Sequence, residues 1–242
     1  MEQYNKIAKA YYERRKDNTR FDFNRDIEVP AMIKMIGDVN GKEILDIGCG
    51  FGDHLLKLSK KHPTRLVGFD YSIEQLKLAK KLALPNTKLY LGDMSKKLRH
   101  DNAEFDVVFS SLAIHYISKA ELRKLFSEVN RVLKNGGEFI FSTAHPIFNL
   151  LKQRTGVVFE SGKDELRIDL NYFDEGPHPG KGQLESVKTY RLTFETLIKT
   201  ALNAGFQIVD YVETKPSKLN RHEKAQLLFK MPSFVIFKLR KK

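Results

Sequence analysis

The apolar residues of this chain follow two rhythms. Leu122, Leu125, Phe126, Val129, Val132 and Leu133 recur at the period of a helix with one buried face. Ser118 and Glu121 form a capping-box pattern just before them, and Asn135-Gly136-Gly137 supplies a stop. The second rhythm is a set of short apolar runs. Residues 43–47, 65–70, 87–92, 105–110, 138–142, 206–212 and 233–237 read as strands. Further helices are expected over 1–20, anchored by Ile7, Ala8, Tyr11 and Tyr12, and over 28–37, with Pro30 near the start and Gly37 near the end. Leu55, Leu56 and Leu58 mark a helix after Gly52, and Ser72 with Gln75 opens another. Residues 193–204 form the last, with Phe194, Leu197, Ile198, Ala201 and Leu202 inward and Gly205 as its stop.

Strands separated by helix-length segments imply βαβ units and a mostly parallel sheet. The alternation breaks at His145-Pro146. Residues 147–190 hold many Gly and Pro among scattered apolar positions, and Ile168, Leu170 and Tyr172 alternate with polar residues as in a half-buried strand. A connection this long is usually functional, so we expect a lid. The resulting plan is one domain over 1–242: a helical cap (1–40), a core (41–146), the lid (147–190), and a C-terminal helix with two strands (191–242).

Composition narrows the class without naming it. The 242 residues are 41% hydrophobic and 30% charged, as in soluble globular proteins. One cysteine, Cys49, permits no intrachain disulfide and no cysteine-built metal site, which suits a reducing, cytoplasmic setting. No metal site is expected, since no His, Asp and Glu cluster has ligand spacing. The first residues lack an apolar h-region, so no signal peptide is expected. No apolar run reaches the roughly 18 residues of a membrane span. The net charge is +12, concentrated in residues 54–100 and 213–242. Nucleic acid is a conceivable partner for such a surface, but lysine dominates and no arginine-aromatic stripe accompanies it, so solvated helix faces are the favoured reading.

Candidate chemistry gathers at the strand ends. Gly48-Cys49-Gly50-Phe51-Gly52 lies between a strand and a helix, where open α/β sheets bind ligands. A dinucleotide fingerprint needs a third glycine where Asp53 stands, and Asp53 would set a negative charge beside a pyrophosphate. No Gly-Lys-Ser/Thr of a P-loop follows. The loop therefore suits a nucleoside ligand without phosphate. Asp46 precedes it, Asp70 ends the second strand, where an acid can hold ribose hydroxyls, and Asp93 follows the third.

These residues resemble the class I S-adenosylmethionine-dependent methyltransferases. Ile44-Leu45-Asp46-Ile47-Gly48-Cys49-Gly50-Phe51-Gly52 matches that family's first motif without a gap. Asp70-Tyr71-Ser72, Gly92-Asp93-Met94, and Phe105-Asp106-Val107-Val108 through His115-Tyr116 match the next three. The resemblance runs from about Tyr4 to the last strand. It implies a Rossmann-like, doubly wound sheet of seven strands, mostly parallel, ending in a reversed hairpin, with S-adenosylmethionine as cofactor. It also implies site roles. Asp46 and the backbone of Gly48, Cys49, Gly50 and Gly52 would hold the methionine half, and Asp70 the ribose, with Tyr71 and Gln75 beside it. Asp93 and the Met94 backbone would meet the adenine. Ser111 and His115 would line the sulfonium end, and Tyr11 would close a helix over the cofactor.

Methyl transfer asks little more of the protein than alignment and exclusion of water, unless the acceptor is protonated. His115 and His145 follow the fourth and fifth strands and are the candidate bases. Tyr172, His178, Tyr190 and Arg191 belong to the lid or its return. The expected activity is methyl transfer to O, N or C of a small or medium-sized acceptor. Alternatives are RNA modification, a nicotinamide-dependent oxidoreductase, and a non-catalytic cofactor-binding protein. No Asn/Asp-Pro-Pro-Tyr/Phe signature of base amino-group methylation follows the fourth strand; Ser110-Ser111-Leu112-Ala113 stands there. The oligomeric state is not legible.

Overall fold

The computed structural model describes residues 2–147, 157–159, 166–168, 172–179, 188–217 and 229–242. Its helices are α1 (Glu2–Lys16), α2 (Val29–Ile36), α3 (Asp53–Ser59), α4 (Ile73–Lys80), α5 (Lys119–Val132) and α6 (Phe194–Asn203). Its strands are β1 (Glu43–Ile47), β2 (Arg65–Asp70), β3 (Thr87–Leu91), β4 (Phe105–Ser110), β5 (Leu133–Ala144), β6 (Val157–Phe159), β7 (Leu166–Ile168), β8 (Gly176–Pro179), β9 (Lys188–Arg191), β10 (Phe206–Glu213) and β11 (Phe234–Lys241). Seven of them form one sheet in the order β10-β11-β5-β4-β1-β2-β3. Pairing is parallel from β5 to β3, and β11 runs antiparallel to both neighbours. The chain reverses direction across the sheet between β1 and β4, the switch point at which such sheets bind ligands.

Central strands bury both faces, so alternate residues feed two cores. Leu45, Ile47, Val67, Phe69 and Val108 pack with Leu122, Phe126 and Val129 of α5 and with Leu197 of α6. Ile44, Leu66, Val107 and Phe109 pack with Met32 and Ile36 of α2, Leu55 and Leu58 of α3, and Leu76 of α4. The helix starts at Ser118 and Ser72 are capped as the sequence expects, and Thr193 adds a third cap. Ser118 and Glu121 close a reciprocal box, while Ser72 and Thr193 accept from the backbone N–H of Gln75 and Thr196.

Four elements differ from expectation. The fifth strand begins at Leu133 rather than 138 and runs through Gly136-Gly137. A register shift between Phe105 and Val107 absorbs the extra length, and a Cβ at Gly137 would lie 2.8 Å from the Lys134 carbonyl oxygen. The last strand continues to Lys241, because Glu138 pairs with Lys238 and Arg240. The second helix is preceded by a π-helical turn, Asn24–Glu28, which drives Ile27 and Glu28 into the interior. The described parts of 147–190 are two antiparallel pairs, β6–β7 and β8–β9. Ile168 ends β7 and Tyr172 lies in a turn, while Leu170 of the strand expected there falls outside the described residues.

Candidate active site

The glycine loop is shaped by close contacts. Gly48, Gly50 and Gly52 all have positive φ. A Cβ on Gly48 would stand 2.7 Å from Cβ of Ala113 and 3.5 Å from Cε of Met94. Only glycine accepts both that backbone conformation and that approach. The N–H groups of Gly48 and Cys49 both donate to the Phe69 carbonyl, each at 2.9 Å, which pins the loop to the end of β2. Cys49 is buried, and burial pushes its thiol well above the usual range. It is a packing residue and no nucleophile.

Asp70 links the loop to α4. Its Oδ2 accepts from Gly50 N–H and its Oδ1 from Ser72 N–H, each at 2.8 Å. A carboxylate offers about four acceptor sites, so acceptor capacity remains beyond the backbone donors. Burial raises its pKa, and the backbone donors oppose that rise. Tyr71 is exposed beside it. Asp93 accepts from Ser95 N–H at 2.8 Å, and Met94 packs against the core near Gly48.

Asp46 and Gln75 are the chemically unsettled residues. Asp46 is 1% exposed, and its Oδ1 finds no hydrogen-bond partner among the described residues. Burial pushes its pKa up to about 8, despite the opposing charge of His54. Gln75 is also buried, with both amide atoms unpartnered among the described residues. Unmet buried polar groups are expensive. Beside a glycine loop, they are what a site prepared for a polar ligand looks like.

The remaining expected residues fall into two groups. Tyr11 on α1 packs against Phe51 of the loop at 6.1 Å between ring centroids, and its hydroxyl accepts from Asn24. His115 is half-buried in the short helical turn Ile114–Tyr116, 4.2 Å from the Tyr116 ring, and the Tyr4 hydroxyl of α1 bonds that of Tyr116. These contacts bring the cap onto the sheet edge at the switch point. Ser111 does not face open space as an unengaged wall residue: its hydroxyl donates to Glu28 at 2.8 Å. His145 sits at the end of β5 but is buried, with Nε2 3.0 Å from Glu213 and its ring edge-on to Phe194.

The sequence reading missed a buried polar cluster. Glu28 Oε1 accepts from Ser142 at 2.6 Å as well as from Ser111, and Oε2 lies at an ion-pair distance of 3.5 Å from His54. Arg15, also buried, bridges Asp22 at 2.8 Å and Asp53 at 3.0 Å. The only hint in the sequence was a glutamate inside an apolar stretch, Ile27 to Met32.

Among the described residues, no helix is long and apolar enough to cross a membrane, and no group of His, Cys, Asp or Glu is placed to hold a metal. Residues 44–137 match the family model described as a methyltransferase domain. An uncharacterized protein of Haemophilus influenzae is 30% identical over 192 residues, 76% of this chain and 75% of that one. The demethylmenaquinone methyltransferase of Lactococcus lactis is 27% identical over 224 residues, 86% of this chain and 82% of that one. The crystal structure of an S-adenosylmethionine dependent methyltransferase from Mesorhizobium loti superposes with a TM-score of 0.76, at 28% identity, covering 88% of this chain and 96% of that one. The chain belongs to the class I S-adenosylmethionine-dependent methyltransferases, and S-adenosylmethionine is its cofactor. None of these likenesses favours a nicotinamide-dependent oxidoreductase.

Proposed function

We propose that this enzyme methylates O, N or C of a small or medium-sized organic acceptor, and that 1–242 works as one catalytic unit. One observation carries the reading. At the carboxyl edge of the sheet, beside the cofactor loop, the Ile114–Tyr116 turn meets both α1 and β9. A site walled by a cap and an inserted hairpin suits a compact acceptor better than a long polymer. The Lactococcus relative is named for demethylmenaquinone, an organic molecule rather than a nucleic acid, which supports an organic acceptor over RNA.

The residues present fit the cofactor. Asp70 has the acceptor capacity for ribose hydroxyls, and Asp93 and the Met94 backbone stand at the next strand end for adenine. Gln75 and Tyr71 flank that position. The Gly48–Gly52 backbone and the unpartnered Asp46 are suited to the methionine carboxylate and amino groups. When bound, S-adenosylmethionine supplies a methyl group already activated on a sulfonium, for in-line displacement by the acceptor.

The protein's own work is orientation and exclusion of water. Tyr11 and Phe51 cover the loop, and the Tyr4–Tyr116 contact closes the cap against the switch point. We assign His115, in the turn after β4, the role of taking a proton from a protonated acceptor. His145, tied to Glu213, serves better as an anchor between β5 and β10. In the hairpin, Arg191 bonds His178 and pairs with Asp174 at 3.2 Å, while Glu175 pairs with Lys119 at 2.6 Å. The first two contacts brace the hairpin, and the Glu175–Lys119 pair docks it onto α5.

The test is transfer of labelled methyl from S-adenosylmethionine into a cell extract separated into small molecules, RNA and protein. Label in the small-molecule fraction supports the reading. Label confined to RNA would replace it with nucleic-acid modification.

A further inference from the structure

Glu28 is a charged residue with 1% exposure, at the end of the π-helical turn. Buried ion pairs are weak sources of stability, and apolar replacements of similar volume often do as well. Its surroundings suggest a use. Glu28 Oε1 receives Ser111 and Ser142. Ser142 Oγ in turn accepts from the backbone N–H of Leu112 at 3.0 Å. Leu112 has φ +49°, a left-handed conformation that leucine rarely adopts and that needs outside support. The next residue, Ala113, is the one whose Cβ leaves no room for a side chain on Gly48. Ser110 ties the start of the same turn to the Ile47 carbonyl at 3.0 Å.

The strands order this site along a line. Asp93 and Asp70 follow β3 and β2, Asp46 and the glycine loop belong to β1, and the Ser111–Ala113 turn follows β4. The turn held by Glu28 is therefore at the methionine end. His54, the ionic partner of Glu28, lies two residues after Gly52, and Arg15 grips the neighbouring Asp53. Burial pushes the Glu28 carboxyl up, but His54 and the two serines more than offset it, so it stays ionised.

We propose that Glu28 is a positioning residue for the methionine half of S-adenosylmethionine: from the N-terminal segment it holds the strained Leu112 turn against Gly48. It acts through Ser111 and Ser142 and does not touch the cofactor. The inference rests on the cofactor assignment and is independent of the acceptor.

The test compares binding of S-adenosylhomocysteine with that of methylthioadenosine, which keeps the nucleoside but lacks the amino-acid end. Calorimetry on Glu28→Ala should show at least a tenfold loss for S-adenosylhomocysteine and less than a twofold change for methylthioadenosine. Ser142→Ala should show the same selectivity with a smaller loss, and it keeps the test valid if Glu28→Ala fails to fold. Asp70→Ala, at the nucleoside end, should weaken both ligands. Equal losses for both ligands in Ser142→Ala and in any folded Glu28→Ala, or no loss in either, would overturn the proposal while leaving the cofactor assignment intact. Wild-type protein that binds neither ligand would overturn both.

Discussion

Asp46→Asn isolates the cost of preparing this site. Burial holds the Asp46 carboxyl at about 8, against an ordinary value of 3.8. A raised pKa in the folded state means stability that is full below the unfolded value and is lost as pH climbs to the folded one. The wild-type protein without cofactor therefore weakens from about pH 4 to about pH 8 through this group alone. Each unit is worth roughly 1.4 kcal/mol, so three units, from pH 5 to pH 8, set a ceiling of about 4 kcal/mol. Water entry and relaxation reduce it, and we expect on the order of 2–4 kcal/mol. Asparagine keeps the shape and cannot ionise. Urea unfolding of both proteins at pH 5 and pH 8 measures the effect as a double difference. The Asn variant should gain on wild type as pH rises, and it should bind S-adenosylmethionine less tightly, because the cation's partner is gone. A stability difference, Asn variant minus wild type, that stays flat from pH 5 to pH 8, or that falls, would refute the reasoning.

Asp70→Ala should cost about 1.5–3 kcal/mol of cofactor affinity, the range for hydrogen bonds to charged groups, as read by calorimetry. Gly48→Ala should destabilise the fold by roughly 1–3 kcal/mol from overpacking against Ala113, with the left-handed backbone adding to that, and a thermal melt reads the loss. Replacing 156–182 with a short glycine linker should spare cofactor binding but abolish methyl transfer to the true acceptor. Retained turnover would remove the lid role. Binding to RNA should be weak and fall steeply with salt, as counterion release requires; nanomolar, sequence-selective binding at physiological salt would contradict the small-acceptor reading.

What the sequence reveals here is what depends on local pattern. The acids at the ends of β1, β2 and β3 could be placed because each lies within two residues of the end of a clear apolar run. The glycine loop could be placed because Asp53, standing where a third glycine would be, excludes the dinucleotide form. The caps at Ser72 and Ser118 could be placed because each lies within a few residues of its partner, whereas the Thr193 cap went unread. What depends on long-range packing stayed hidden. Glu28 meets Ser111 and Ser142 from far along the chain, and its π-helical turn leaves no periodic signature. The strand through Gly136-Gly137 was hidden by glycines that normally end helices, and the end of the last strand by Lys238 and Arg240, whose charges Glu138 neutralises. Ser111 follows β4 as expected, but its bond to Glu28 joins two distant segments and left no local trace.

The most direct test of the account is a crystal structure of the full chain with S-adenosylhomocysteine. The account predicts the ribose hydroxyls on the Asp70 carboxylate, the adenine amino group at Asp93, and the amino-acid end over Gly48–Gly52 with Asp46 Oδ1 newly partnered. The sulfur should face the Ile114–Tyr116 turn, which meets both α1 and β9. A ligand with its ribose away from Asp70, or one that leaves Asp46 unpartnered, would contradict it.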